Sequence, residues 1–441
     1  MKNMVALIIN PYVSDFKLYD EWMHPIGLYF LYDFFEKNGI TPFFFNFLDP
    51  GRHAQEKKFG TGTFESCELP KPLLYNAIKR KYKLYGITQQ SFVDFLSTIP
   101  KPDFVCIGGT MTYWAPGIIE TYTIVQKYLP DTLIYCGGIA AQLIPDYLKK
   151  HMPQCKVVGD IDGLLSLDAI TKHINKPIDE HYKDNLTFTN CVSKSPLSRH
   201  APVLLSLGCP MRCTYCASSV LQPQYQIRPL DIVLNEIEYS IEKYNITDFA
   251  FYDDALLYEK SKILYPFIDR LSDLKIKVRF HTPNGLHVRY ADRQVLDKMK
   301  RAGFETIRFG YESGQTHHQN ETSGKVNRLQ LQEKVTIALQ SGFSGTQIGV
   351  YVMGGLPNQT PDNLIEEMDF IHSLGVTVKP VFVSPVPGTH LFKYYSEQFP
   401  QIRIDPLWHN DTFFITNIEF WDEITLESIR QKARTLNTLT G

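Results

Sequence analysis

The sequence predicts an α/β protein with two successive parallel sheets: an N-terminal Rossmann-like, doubly wound domain, then a partial (β/α)6 TIM-type barrel and a short C-terminal tail. Three observations predict it. Apolar runs of strand length alternate with helical periodicities up to about residue 160, the pattern of strand–helix–strand units. The alternation restarts at Val203 and continues for about six strand–helix repeats, fewer than a closed eight-fold barrel needs. Between the two series lies a polar stretch with Pro177, Ser193, Ser195, Pro196 and Ser198, which reads as a linker. The expected domains are therefore 1–165, a linker over 166–199, the barrel over 200–395 and an extension over 396–441.

The first series opens with Val5–Asn10, short and apolar enough for a buried parallel strand. Leu28, Leu31, Tyr32 and Phe35 then recur at helical spacing before Asn38-Gly39, a helix stop. Thr41–Leu48 is aromatic and strand-like, whereas residues 50–90 show no clear period and read as an insertion. Phe104–Ile107 ends in Gly108-Gly109, and Leu133–Tyr135 ends in Gly137-Gly138, with helices expected near 117–128 and 143–150. Lys156-Val-Val-Gly-Asp closes the series. Glycines at the carboxyl ends of successive strands let a ligand approach the backbone, where open α/β sheets bind ligands. They also serve simple tight turns. No G-x-G-x-x-G follows the first strand, which disfavours a nicotinamide or flavin dinucleotide.

Strands of the second series are expected at Val203–Leu207, Asp248–Tyr252, Lys277–His281, Thr306–Gly310, Gln347–Val352 and Val378–Val383. Helices separate them, as at Leu230–Tyr244, Gln294–Ala302 and Pro361–Leu374. The last 40 or so residues, with Trp408 and Trp421, carry no recognisable motif and read as a mixed tail.

Composition narrows the function classes. Forty-five basic against 47 acidic residues give a formal charge of −2, so nothing points to a nucleic-acid partner. No apolar run approaches the roughly 20 residues of a bilayer span, and Met1 to Ile9 lacks a signal-peptide cleavage site. No membrane is expected, and a cytoplasmic location is. The eight cysteines are not spread like a disulfide framework. Cys106 and Cys136 sit inside apolar runs and read as small buried hydrophobes.

Three cysteines stand apart. Ser206-Leu-Gly-Cys-Pro-Met-Arg-Cys-Thr-Tyr-Cys-Ala-Ser packs Cys209, Cys213 and Cys216 into one loop after the first strand of the second series. A zinc site would want a fourth ligand at recognisable spacing, and the two short spacings have no partner pair. A [4Fe–4S] cluster held by three thiolates leaves one iron open to an external ligand, a catalytic arrangement. Soft thiolates match iron–sulfur chemistry.

The C-x3-C-x2-C spacing, with aromatic Tyr215 before the third Cys, resembles the radical S-adenosylmethionine superfamily. Later landmarks fit: Phe251-Tyr-Asp-Asp-Ala-Leu-Leu, His281-Thr-Pro-Asn-Gly-Leu-His, Phe309-Gly-Tyr-Glu-Ser-Gly and Tyr351-Val-Met-Gly-Gly-Leu-Pro follow successive strands. The likeness spans about residues 200–395. It implies an open iron that binds S-adenosylmethionine and cleaves it, on one-electron reduction, to a 5′-deoxyadenosyl radical that abstracts hydrogen from substrate. It also implies that Asp253 or Asp254 receives the methionine ammonium. Tyr215, Asn284, Glu312 and Ser313 would contact the same ligand.

Residues 1–165 resemble the cobalamin-binding domain that precedes the barrel in one large branch of that superfamily. The matching features are Ile9-Asn-Pro, Pro25-Ile-Gly-Leu, Gly108-Gly109-Thr110, Gly137-Gly138 and, approximately, Val157-Val-Gly-Asp-Ile-Asp-Gly. The resemblance implies cobalamin against Gly108, Gly109, Thr110, Met111, Gly137 and Gly138, with Thr110, Met111 and Tyr113 near the lower face of cobalt. The D-x-H-x-x-G signature that supplies a cobalt-ligating His is absent; His24 is the nearest candidate, and a structural His is the expected reading. Methylthiotransferases match poorly, because their N-terminal domain carries three further cluster cysteines not recognised here.

The expectation is a cobalamin-dependent radical enzyme, foremost a methyltransferase acting on an unactivated carbon of a small molecule or peptide. Its cofactors would be a [4Fe–4S] cluster, S-adenosyl-L-methionine and cobalamin, and a low-potential donor such as ferredoxin or flavodoxin would supply electrons. The rivals are non-methylating cobalamin radical chemistry (ring formation, contraction or oxidation) and a corrinoid or iron–sulfur sensor without turnover. No catalytic side chain is identified beyond the ligands.

Overall fold

Strand β1 (Val5–Asn10) is buried almost throughout, with Ala6, Leu7, Ile8 and Ile9 inaccessible, because both faces of its sheet are covered. A computed structural model describes residues 4–49, 52–166, 186–188, 199–315 and 326–440. Most of the linker expected over 166–199 lies outside the described residues. The chain divides into two units, one of residues 1–201, 235–246 and 400–408, the other of 202–234, 247–399 and 409–441.

In the first unit, β1 is followed by helix α1 (Ile26–Lys37), β2 (Thr41–Asn46), β3 (Phe104–Ile107), helix α2 (Ala115–Tyr128), β4 (Leu133–Gly137) and β5 (Cys155–Gly159). These strands form a five-stranded parallel sheet in the order β5-β4-β3-β1-β2. That is the doubly wound order whose switch point lies between β1 and β3, and Gly108 follows β3 at that point. Leu7, Ile9, Phe45, Phe92, Val105, Ile107 and Ile118 pack into one core with Cys136 and Cys155. Truncating one of these large side chains to Ala should cost about 2–5 kcal/mol.

Two expectations are refined here. The helix expected over 143–150 is broken into Ile139–Leu143 and Pro145–His151, because Pro145 cannot donate a helical N–H. The aperiodic insertion folds into two small antiparallel sheets. His53–Glu56 pairs with Gly62–Phe64, and Lys83–Tyr85 pairs with both Val13–Asp15 and Ser66–Glu68.

The second unit's sheet runs in chain order through β6 (His200–Val203), β7 (Asp248–Phe251), β8 (Arg279–His281), β9 (Phe304–Glu312), β10 (Ile348–Gly354) and β11 (Thr377–Phe382), with Leu286–His287 paired beside β9. The pairings from β7 to β11 are parallel. Sequential parallel order with intervening helices is the arrangement of an open (β/α) series. Phe249, Phe251, Phe267, Phe280 and Phe304 fill its interior, the rings of Phe251 and Phe304 stacked at 5.2 Å. The aromatic wealth is therefore core here. Tyr311, at a strand end, is also buried, its ring near Phe370 and its hydroxyl donating to buried Glu367 at 2.8 Å.

The first strand departs from expectation: β6 ends at Val203, not Leu207. Residues 204–206 leave the ladder because side chains take over their backbone groups, as described below. The tail is also more than an appendage. Helix α3 (Glu423–Leu439) lies along β11, where Asn437 accepts from Val378 N–H at 2.8 Å and donates to its carbonyl at 2.9 Å. It thereby satisfies backbone groups of an edge strand. Buried Trp421 donates its indole N–H to Gln359 O at 3.0 Å. Among the described residues no helix is long and apolar enough to cross a membrane.

Candidate functional site

The three-cysteine loop follows β6 in the second unit. Gly208 enters it at φ +77°, and a Cβ there would lie 2.7 Å from Gln224 O, so the approach needs glycine. Leu391 N–H donates to Thr214 O at 2.9 Å, and Cys216 N–H to Cys213 O at 3.1 Å, fixing the turn. Cys209, Cys213 and Cys216 are all of intermediate exposure. Cys216 Sγ lies 3.2 Å from Ser218 Oγ and accepts from Ser218 N–H at 3.5 Å. Burial pushes the Cys209 thiol up to about 11; the charges of Asp254, Cys216 and Cys213 add to this, while the N–H of Met211 opposes it. The three sulfurs are thus electrostatic neighbours that gain by meeting a cation.

Among the described residues no three His, Cys, Asp or Glu side chains converge around a single metal ion. The thiols are not a preformed zinc shell. In a cluster each thiolate binds a different iron, so its sulfurs stand wider apart, and a soft three-thiol set suits it. The donors fit a [4Fe–4S] cluster.

The polar residues after the neighbouring strands separate into distinct roles. Asp253 is buried, and both its carboxylate oxygens are engaged: Oδ1 accepts from Ser206 N–H and Ser206 Oγ at 2.7 Å each, and Oδ2 from Leu205 N–H at 3.1 Å. Desolvation raises it to about 6 despite those bonds. Either acidic residue is a candidate for an ammonium on sequence grounds; the structure bonds Asp253 to Leu205 and Ser206. Asp254 is raised by desolvation, is hydrogen-bonded by Ser218, and its charge acts on Cys209, which puts it beside the loop. Asn284 donates to Tyr252 O at 3.0 Å.

Glu312 closes β9 with φ +70°, a left-handed conformation costly for a non-glycine residue. Its carboxylate accepts from the Tyr215 hydroxyl at 3.3 Å. Burial and the Glu312 charge hold the Tyr215 hydroxyl well above its ordinary range. Ser313 is buried, and its hydroxyl accepts from Gln315 N–H at 3.3 Å. The structure therefore brings Tyr215 and Glu312 together and sets Asp254 by Cys209. The bracing of residues 204–206 had no local sequence signal.

Residues 203–371 match the model of the radical SAM superfamily. They are a radical SAM domain. The chain is 22% identical over 346 residues to an uncharacterised methyltransferase of Pyrococcus horikoshii, covering 69% of this chain and 72% of that one. It is 23% identical over 289 residues to a bacteriochlorophyllide d C-12(1)-methyltransferase of Chlorobaculum tepidum, covering 62% of this chain but only 61% of the relative, under two thirds of its length. In fold it is similar to the radical S-adenosylmethionine methyltransferase TsrM of Kitasatospora setae, a structure with cobalamin and a [4Fe–4S] cluster bound. There the TM-score is 0.63 at 14% identity, over 90% of this chain and 78% of that one. At that identity the likeness is one of fold, and it extends well beyond the radical SAM domain into the N-terminal sheet.

In the first unit, the residues singled out for cobalamin lie at strand carboxyl ends. Gly108 and Gly109 are buried, Thr110 and Met111 exposed, and Gly137 and Gly138 partly exposed. The chain's own packing requires several of these glycines. A Cβ on Gly108 would lie 2.8 Å from Leu28, on Gly109 2.6 Å from Ile118, and on Gly138 (φ +91°) 2.6 Å from Gly109 O. Met111 and Ile139, at the ends of adjacent strands, are among the exposed large hydrophobics. This edge fits a flat group held by contact.

Both ring nitrogens of His24 have partners within the chain. Its Nδ1 meets the Tyr29 hydroxyl at 3.2 Å and its Nε2 meets His200 Nδ1 at 2.8 Å. His200 and His53 in turn reach Asp20 Oδ2 at 3.3 and 2.9 Å. Burial alone would raise the Asp20 carboxyl, but hydrogen bonds from His200 and His53 hold it well below the usual range. Burial, and then the His200 charge, push His24 well below its ordinary value. Cys106, Cys136 and Cys155 are buried, and burial raises the Cys106 thiol. Cys136 and Cys155 belong to the hydrophobic core of this sheet.

Proposed function

We propose that the chain is a cobalamin-dependent radical SAM methyltransferase acting on an unactivated carbon of a small molecule or peptide. The observation that carries this reading is the three-thiol loop after the first strand of the radical SAM domain, preceded in the chain by a parallel sheet whose switch point carries Gly108 to Met111. Support comes from relatives named as methyltransferases and from the fold shared with TsrM over nine tenths of the chain. In this reading residues 1–165 bind cobalamin, 166–199 link, 200–395 form the radical SAM barrel and 396–441 extend it.

Cys209, Cys213 and Cys216 would hold the cluster, Tyr215, Asp254, Asn284, Glu312 and Ser313 would hold S-adenosylmethionine, and Gly108, Gly109, Thr110, Met111, Gly137 and Gly138 would hold cobalamin. When bound, cluster and S-adenosylmethionine supply an organic radical, and cobalamin a transferable methyl group. The chain's own contribution is placement. Asp254 offers an anion to a ligand ammonium near Cys209, and Glu312, preset in its left-handed conformation, directs its carboxylate toward Tyr215. Electrons would come from a ferredoxin- or flavodoxin-like donor in the cytoplasm.

Anaerobic preparation with iron, a sulfide source and cobalamin, followed by metal analysis and visible absorption, tests the reading. About four irons and one cobalt per chain are expected. Iron without cobalt would reject methyl transfer while keeping radical chemistry. Product mass separates the rivals: a gain of one methylene means methylation, whereas no 5′-deoxyadenosine under reducing conditions would favour a sensor. Cys209→Ala should abolish both iron loading and 5′-deoxyadenosine formation.

A further inference from the structure

Between the end of β6 and Cys209 the backbone of residues 204–206 belongs to no sheet ladder of the main series, yet two buried side chains meet several of its polar groups. Asp253 takes the N–H side, accepting from Leu205 N–H, Ser206 N–H and Ser206 Oγ. Arg228 takes the carbonyl side: its backbone N–H donates to Leu205 O at 2.8 Å and its guanidinium Nη1 to Leu204 O at 2.9 Å. Both side chains are buried, Asp253 at 3% and Arg228 at 6% exposure. Ser206 and Leu207 then pair with Ile227 and Gln226, so the frame continues to Gly208, the residue before Cys209.

A buried carboxylate and a buried guanidinium are costly unless bonded, and both direct bonds onto this one tripeptide. A strand that simply continued would need neither. The arrangement fixes the direction in which the loop leaves the sheet, independently of any ligand.

We propose that Asp253 and Arg228 are positioning residues that brace residues 204–206 and thereby set where Cys209 projects, and that Asp253 does not bind the methionine ammonium. This rests on the reading of Cys209, Cys213 and Cys216 as ligands of an iron–sulfur cluster. Outer partners of metal ligands commonly govern metal retention although they never touch the metal.

The test compares the full-length protein, anaerobically reconstituted, with Asp253→Ala, Asp253→Asn, Ser206→Ala and Arg228→Met. Iron loss to a chelator, the electron paramagnetic resonance of the reduced cluster and its midpoint potential are read, with circular dichroism reporting the fold. Asp253→Ala should lose iron roughly tenfold faster than the parent and show altered resonance. Asp253→Asn, which keeps one acceptor oxygen for Ser206, should recover part of the difference, and S-adenosylmethionine affinity in that variant should stay within about threefold, because no direct ligand contact is lost. A folded Asp253→Ala with parental iron loss, resonance and potential would overturn the brace. If that variant does not fold, unchanged values in both Asp253→Asn and Ser206→Ala overturn it instead. A parent protein that takes up no iron would reject the cluster reading itself, and the brace with it.

Discussion

The Tyr215 hydroxyl, one residue before the third cysteine of the loop, donates to the Glu312 carboxylate at 3.3 Å across 97 positions of sequence. Glu312 holds a left-handed backbone (φ +70°) at the end of β9 to do so. Residues are kept in such conformations when the surroundings over-determine them, commonly at ligand sites.

Removing that carboxylate should therefore cost ligand binding more than stability. Glu312→Gly relieves the backbone penalty of about 1–2 kcal/mol and deletes the anion. The melting temperature should hold or rise, while S-adenosylmethionine affinity falls at least about tenfold, the worth of one hydrogen bond to a charged group. Calorimetric titration of the reconstituted protein measures the second effect. Unchanged affinity would remove Glu312 from the ligand site.

How much of this was legible in the sequence depends on distance along the chain. The three-cysteine loop was plain because its chemistry sits in eight consecutive residues, and Cys106 and Cys136 read as buried because apolar runs surround them. The parallel strand–helix architecture followed from alternation and the short connections it implies. The bond between Asp253 and Ser206 was not legible because the two lie 47 positions apart and no local pattern encodes it. Likewise, Asp20 and His200 are 180 positions apart, so their buried cluster had no signal in either neighbourhood. The tail looked featureless because Asn437 finds its meaning only against Val378. Long-range side-chain-to-backbone bonds are what sequence patterning cannot report.

His24 makes folding pH-dependent. Its folded-state pKa is depressed, so between that value and the unfolded value of about 6.5 the unfolded chain binds the extra proton. Stability should hold above about pH 6.5 and fall as pH drops below it. Asp20 acts lower: its carboxyl is held down, so its contribution is present above the unfolded value of about 3.9 and is lost beneath that. Urea melts at pH 7.5 and 5.5 check the first window. His24→Gln should flatten the dependence there, and an equal slope in parent and variant would contradict the assignment.

The same substitution separates a structural His from a cobalt ligand. Both ring nitrogens of His24 are engaged with Tyr29 and His200. His24→Gln should lower the melting temperature yet leave the visible spectrum of bound cobalamin unchanged, since that spectrum responds to the ligand on cobalt's lower face. A spectral shift without loss of cobalt would assign His24 to the metal after all.

The C-terminal helix guards an edge. Asn437 satisfies both backbone groups of Val378 on β11, and α3 buries Leu426, Ile429 and Ala433 beside it. Asn437→Ala removes two hydrogen bonds and leaves a partly buried N–H and C=O to water, a loss of about 1–3 kcal/mol. Truncation before α3 is the harsher change, because it uncovers an apolar strand edge, and exposed edges template association between chains. Such a truncation should therefore yield aggregates in light scattering, whereas Asn437→Ala should stay monodisperse at 25 °C and melt several degrees lower. A truncated chain that remained soluble, with parental iron content, would show α3 to be dispensable to the radical SAM domain.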